Sequence, residues 1–438
     1  MITKQLPEGW KKVKVSDVCI KVIGGGTPST QNNEYWQDGT IDWVTSADIY
    51  GIKDIRPRKK ITLKAVKEST TNILPKGGII IVTRVGLGKL AIAPYDLCFS
   101  QDSQGLILNE KVIDTAYALW FLSKAVQVFK YENRGTTISG VTKKQLIDLP
   151  LLLPPIPVQQ AIVSKIEEIF SELEVGVNEL KTALARLKIY RQAVLHHYLI
   201  NPNWERVKLG KLIISGPQNG LYKPQSFYGL GNRIVRIDNF YDGVLNLEGS
   251  FRRVQIDLSE LTLYKLNQDD ILINRVNSMS HIGKCALVKG LTEGTVFESN
   301  IMRFALNTQV ASTQFVVHYL TSPAGLEELR KNAKQAVNQA SINQQDVKGV
   351  EMFLPDLATQ TQIVSEIEAR LSEADAMEST IRQELVRAEN LRHSILKKAF
   401  EGKLFTDLIR EVVIEEPTAQ YQAVSKSLNS RSEQLSLF

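Results

Sequence analysis

Leu153-Pro154-Pro155-Ile156-Pro157-Val158-Gln159-Gln160-Ala161-Ile162-Val163-Ser164-Lys165-Ile166-Glu167 returns downstream as Leu354-Pro355-Asp356-Leu357-Ala358-Thr359-Gln360-Thr361-Gln362-Ile363-Val364-Ser365-Glu366-Ile367-Glu368. Both stretches leave an apolar segment, cross proline and enter a helical pattern, as helix starts do. The helical patterns start near Val158 and Thr359 and run to about Leu199 and Phe400. In the first, Ile166, Leu173, Leu180, Leu187 and Val194 recur every seven residues, beside a looser seam of Ile162, Ile169, Val177, Leu184 and Tyr198. In the second, Ile367, Ala374, Ile381, Ala388 and Ile395 recur in the same way. A seven-residue apolar repeat marks helix-on-helix packing. A helix of roughly 60 Å with one apolar stripe needs a partner.

Charge indicates how these helices pair. Each opens acidic (Glu167, Glu168, Glu172, Glu174; Glu366, Glu368, Glu373, Asp375, Glu378) and closes basic (Lys181, Arg186, Lys188, Arg191; Arg382, Arg387, Arg392, Lys397, Lys398). Part of this complements the helix dipole. Antiparallel packing also sets each acidic half against a basic half, whereas parallel packing aligns like charges. The expectation is an antiparallel coiled coil; the alternative is two helices docked separately.

Working outward, the whole chain repeats. Pro7-Glu8-Gly9-Trp10-Lys11-Lys12-Val13 returns as Pro202-Asn203-Trp204-Glu205-Arg206-Val207, and Gly78-Ile79-Ile80-Ile81-Val82 as Asp270-Ile271-Leu272-Ile273-Asn274. Gly88-Lys89 returns as Gly283-Lys284. Between them, short β-branched runs alternate with turn residues, and each copy has one amphipathic helix, about 114–131 and 312–331. The fold class is therefore α+β: two tandem mixed domains separated by two long helices with pseudo-two-fold organisation. The boundaries are 1–153, helix 154–200, 201–354, helix 355–402 and a polar tail 403–438.

The 438 residues are 43% hydrophobic and 23% charged, which permits a real core. A net charge of +6 permits a nucleic-acid partner without demanding one. Cys19, Cys98 and Cys285 lie outside any CxxC and read as reduced thiols of a cytoplasmic protein. No apolar run reaches the roughly 20 residues of a membrane span. Catalytic patterns are missing. Gly86-Leu87-Gly88-Lys89 lacks the rest of a P-loop, and the five histidines form neither HExxH nor a Cys/His cluster. No Asn/Asp-Pro-Pro-aromatic tetrapeptide occurs, and Gly24-Gly25-Gly26-Thr27-Pro28 reads as a flexible loop. No metal or cofactor is expected in this chain.

The loops instead carry side chains that read bases and hold phosphates. The candidate DNA-binding residues of the first domain are Thr27, Ser29, Thr30, Thr45, Ser46, Arg84, Gln101, Arg134 and Thr136. Those of the second are Tyr222, Lys223, Arg236, Arg275, Asn277, Asn300 and Asn338. For any one of them the plain alternative is a solvated loop residue. Arg84 and Arg275 stand out because both fall at the same strand end of their copies.

These features resemble the specificity subunit of Type I restriction-modification systems over about residues 5–402. The resemblance rests on the Trp10 and Trp204 openings, Gly25-Gly26-Thr27-Pro28-Ser29, and Trp43-Val44-Thr45-Ser46-Ala47-Asp48-Ile49. It rests also on the Leu-Pro…Gln…Ile-Val helix openings and Ala399-Phe400-Glu401-Gly402-Lys403-Leu404. The second domain has Gly216-Pro217-Gln218-Asn219-Gly220 in place of the Gly-Gly-Thr-Pro-Ser loop. The resemblance implies that each mixed domain is a target recognition domain reading half of a bipartite, asymmetric site in double-stranded DNA. The helices would set the spacer and dock two modification (methyltransferase) subunits carrying S-adenosylmethionine; restriction subunits would add ATP- and Mg-dependent translocation and cleavage. The rival reading is a coiled-coil scaffold joining two protein-binding domains. The terminal Gln434-Leu435-Ser436-Leu437-Phe438 resembles the short peptide with which bacterial proteins bind the replication sliding clamp; the plain alternative is an ordinary frayed end.

Overall fold

The computed structural model describes residues 10–132, 140–241, 243–337, 339–401 and 403. The chain divides into two compact units, Met1–Asn178 with Leu385–Phe438, and Glu179–Glu384. The divisions fall inside two 44-residue helices, Ile156–Leu199 and Leu357–Phe400.

In the first unit, strand Lys11–Lys14 pairs antiparallel with Pro150–Leu153, closing the domain just where the first long helix begins. One sheet runs in the order Cys19–Gly24, Ser103–Leu108, Ile79–Val82, Leu90–Ile92. A second runs Lys59–Ile61, Ile41–Val44, Leu97–Phe99, Ile73–Leu74. Ile79–Val82 is apolar at every position because both its faces are covered. Ile79 and Ile81 join the core with Tyr117 and the long helices, while Ile80 and Val82 pack with Val44 and Phe99 between the sheets. Strand alternation sends successive side chains to opposite faces.

The second unit repeats this plan. Glu205–Lys208 pairs with Glu351–Leu354 ahead of the second long helix. A six-stranded sheet begins Ile213–Asn219, Ile301–Leu306, Ile271–Asn274, Cys285–Leu287, and a three-stranded sheet holds Arg252–Val254, Tyr228–Val235 and Thr295–Phe297. An additional small sheet joins Val276–Asn277, Gln339–Ser341 and Lys334–Ala336.

The repeated glutamine has a mechanical role. Gln159 is fully buried; its Oε1 accepts from Asp114 N (2.8 Å) and its Nε2 donates to Pro154 O (2.8 Å) and Val112 O (3.2 Å). Gln360 makes the same three bonds to Ser312 N, Pro355 O and Val310 O. Each ties the start of a long helix to the loop preceding the domain's own helix.

Within each unit the long helices run in opposite directions where they meet. In the first, Arg392 pairs with Glu174 and stacks on Phe170, while Phe400 lies edge-on against Tyr117 and Phe121. In the second, Arg191 bonds Asp375 (2.6 Å) and Glu378 (2.7 Å), and Tyr198 accepts from Arg370 Nε (2.9 Å). The acidic-against-basic pairing read from the sequence is present. Ile367, Ala374, Ile381, Ala388 and Ile395 are all buried, as are Ile166, Leu180, Leu187 and Val194; Leu173 is half-buried.

Two expectations need correction. The helix at 114–131 is Thr115–Glu132, but the one at 312–331 is two helices, Thr313–Thr321 and Pro323–Arg330. Pro323 has no N–H to continue the first, and Ser322 starts the second by accepting from Gly325 N (3.2 Å). The glycine run at 24–26 is not a flexible loop. Its carbonyls accept from Asn72 Nδ2, Trp43 Nε1 and Thr71 Oγ1, each at 2.9 Å.

Candidate nucleic-acid interface

Strands Cys19–Gly24, Ile41–Val44, Ile79–Val82 and Leu97–Phe99 all end, and Ser103–Leu108 begins, at one edge of the first domain. The second domain gathers the ends of Ile213–Asn219, Tyr228–Val235, Ile271–Asn274 and Thr295–Phe297 and the start of Ile301–Leu306 in the same way. The described candidate residues therefore come from one edge of each domain, all in its connecting segments except Asn277, which ends the short strand Val276–Asn277.

Backbone hydrogen bonds match these edges residue by residue. Gly25 N donates to Ser103 O, and Gly220 N to Ile301 O. Ser100 N donates to Val44 O, and Glu298 N to Val235 O. Thr83 N donates to Asp102 O, and Arg275 N to Asn300 O. Gly25 thus corresponds to Gly220, Thr27 to Tyr222, Thr45 to Arg236, Gln101 to Ser299, Asp102 to Asn300 and Thr83 to Arg275. The two arginines singled out in the sequence are therefore not equivalent: Arg84 corresponds to Val276. A shift of one residue reverses the direction of a strand side chain.

The glycine correspondence explains the loop missing from the second domain. A Cβ on Gly25 would lie 2.0 Å from Ser100 O, and one on Gly220 2.2 Å from Glu298 O. Each loop needs one glycine at that crossing, whatever surrounds it. Beyond it, Pro28 is buried and Thr27, Ser29 and Thr30 are exposed, with Ser29 O held by Trp36 Nε1 (3.0 Å). Tyr222 is 78% exposed.

The next loop pair differs in charge. Thr45 donates to Asp48 Oδ2 through its amide (2.8 Å) and hydroxyl (2.6 Å), while Arg58 holds the other oxygen. Burial pushes the Asp48 carboxyl up, but the bonds from Thr45 and Arg58 outweigh it and leave it below the usual aspartate range. In the second domain Asn239 Oδ1 takes the corresponding bond from Arg236 N (2.8 Å). Arg236 donates to Glu298 (3.1 Å), whose other oxygen accepts from Ile237 N (2.9 Å). Glu298, which follows Phe297 as Ser100 follows Phe99, is not among the residues that the sequence pattern singles out.

Ser46 O accepts from Lys89 Nζ (2.8 Å), which fastens the turn bearing Arg84 to the Thr45-Ser46 loop. Arg84 is exposed and Val85 beside it is 70% exposed. Gln101 is exposed on the neighbouring loop. Arg275 is half-buried; its Nη1 donates to Ser299 O (3.1 Å), and its buried Nε has no hydrogen-bond partner among the described residues. Asn300 adjoins it, and Asn277 Oδ1 accepts from Ser278 N (2.8 Å). Lys223 is committed to Glu260 (2.7 Å) and lies over the Phe227 ring. The first domain makes a comparable tie with reversed charge, Glu34 to Lys64, between the same loop and the same short helix. Arg134, Thr136 and Asn338 lie outside the described residues, as do residues 434–438.

Among the described residues no group of three or more His, Cys, Asp or Glu is placed to hold a metal ion, and no helix is long and apolar enough to cross a membrane. The edges offer amide, hydroxyl and guanidinium groups on well-fastened loops, which is equipment for reading base edges.

The family profile described as "Type I restriction modification DNA specificity domain" matches residues 7–182 and again 203–387. The chain is 28% identical over 425 residues to the Type I restriction enzyme StySPI specificity subunit of Salmonella potsdam, covering 91% of this chain and 90% of that one. It is 26% identical over 428 residues to the EcoKI specificity subunit of Escherichia coli K12, covering 92% and 91%. A solved structure described as the "Structural basis underlying complex assembly and conformational transition of the type I R-M system" superposes with a TM-score of 0.71 at 18% identity, covering 91% of this chain and all of that one. The HsdS subunit of Thermoanaerobacter tengcongensis gives 0.52 at 18% identity, covering 92% and 99%. At such identity these two matches speak to the fold.

Proposed function

The chain belongs to the Type I restriction modification DNA specificity family, as its non-catalytic DNA-recognition subunit, and from that premise we propose that its two strand-end edges read the two halves of a bipartite, asymmetric site. The first reader is the domain within 1–153, using Thr27, Ser29, Thr30, Thr45, Ser46, Arg84 and Gln101. The second is the domain within 201–354, using Tyr222, Arg236, Arg275 and Asn300, while Lys223 anchors its loop to Glu260 and Asn277, opposite the buried Ala340, faces the domain. The observation that carries this reading is the residue-by-residue backbone match of edges whose side chains differ. One architecture offered to two unlike base sequences has that form.

The long helices, in this proposal, set the spacer between half-sites and dock two modification subunits, with restriction subunits joining the assembly. Inserting four residues into Ile156–Leu199 lengthens a helix by about 6 Å. Methylation mapping of the assembled complex should then return a wider spacer with unchanged half-sites. Changed half-sites with an unchanged spacer would refute the ruler. For the terminal Gln434-Leu435-Ser436-Leu437-Phe438, clamp binding is tested by pull-down with those five residues deleted.

A further inference from the structure

Resting on the two-reader account, we infer that the β-ribbon formed by Lys334–Ala336 and Gln339–Ser341 enters the DNA major groove and that Gln339 on it reads an adenine. The ribbon grows from the reading edge itself. Ile342 N donates to Arg275 O (3.0 Å), and the ribbon's inner strand pairs with Val276–Asn277, which directly follows Arg275. Its base is fixed by Arg330, whose Nε donates to Ile282 O (2.9 Å) and Nη2 to Ser280 O (3.3 Å). Its outer strand stands in solvent: Lys334, Gln335 and Ala336 are all exposed, and Val337 is 93% exposed.

Strand register assigns the two faces. Residues directly opposite each other share a face. Ala340 is buried, so the face it shares with Gln335 is the one turned toward the domain. Lys334 with Ser341, and Ala336 with Gln339, occupy the outward face. Two paired strands about 4.8 Å apart fit a major groove roughly 12 Å wide. The outward face offers an amide for the N6/N7 edge of adenine, an ammonium for phosphate and a small alanine between them. A protein partner would call for an apolar anchor on that face, and its described residues other than Val276 are polar or small.

The test uses the full chain assembled with its modification subunits, with base-resolution methylation mapping on a randomised site library. Gln339→Ala should lower discrimination roughly tenfold at one A·T position in one half-site only. Gln339→Arg should move the preference there toward guanine. Gln335→Ala, on the inward face, should leave the motif intact. Lys334→Ala should weaken binding without changing the motif and reduce the salt slope by about one. If both Gln339 variants keep the wild-type motif, or if Gln335→Ala is the one that relaxes it, the ribbon assignment is wrong while the two-reader account stands. Equal relaxation of both half-sites by Gln339→Ala would overturn both.

Discussion

Where the first domain presents Thr27, Thr45, Thr83, Ser100 and Asp102, the second presents Tyr222, Arg236, Arg275, Glu298 and Asn300 on the same backbone hydrogen bonds. At these positions the first edge is hydroxyl-rich with one carboxylate, whereas the second carries two arginines, one of them braced by a buried glutamate. The difference teaches that the backbone of the edge is specified by very little: a glycine at one crossing, a capped turn and two paired strands. Everything else there is free to vary with the ligand. The interiors show the opposite rule, since the buried Gln159 and Gln360 make identical bonds and tolerate no such freedom.

The strongest way to break this comparison is at the shared framework. Phe400 closes the first unit's core against Tyr117 and Phe121, and the fully buried Leu199 ends the helix that closes the second. Phe400→Ala should cost about 3–5 kcal/mol and Leu199→Ala about 2–5 kcal/mol in denaturant unfolding. Near-neutral values would mean that the helix ends do not belong to the domain cores.

A smaller effect is expected at the crossing glycines. Gly25→Ala and Gly220→Ala should each cost about 1–3 kcal/mol by overpacking against a backbone carbonyl. Each should blur one half-site, a different one, in methylation mapping. The same half-site affected by both would deny their equivalence.

The smallest effect sharpens the contrast between Asp48 and Asn239. The Asp48 carboxyl is held below its ordinary value of 3.8, so its contribution is present above that value and is lost as pH falls through the lower folded-state value. Asp48→Asn copies the second domain's turn. The unfolding free-energy gap between wild type and this variant should therefore shrink between about pH 5 and about pH 3. Asn239 cannot titrate, so Asn239→Ser should show a pH-independent gap over the same range.

Much of this was legible in the sequence, for physical reasons. The long helices were readable because a heptad seam and acidic-to-basic polarity are periodic, and Gln159 and Gln360 stood out as a repeated polar residue inside an apolar frame. The edges were harder. Arg84 and Arg275 were matched as like residues, but register is set by backbone pairing, which places Thr83 opposite Arg275 in the comparison. Gly220 was hidden because its neighbours differ entirely from those of Gly25; only the nearness of a carbonyl oxygen reveals their common task. The anchoring pairs Glu34–Lys64 and Lys223–Glu260 were invisible because their charges are swapped between copies.

The most direct test of the central claim is a methylation map of the assembled complex bearing Arg84→Ala beside one bearing Arg236→Ala. The account predicts two different lesions, each confined to one half-site, with spacer and opposite half unchanged. Loss of sequence preference in both halves by either substitution would contradict it.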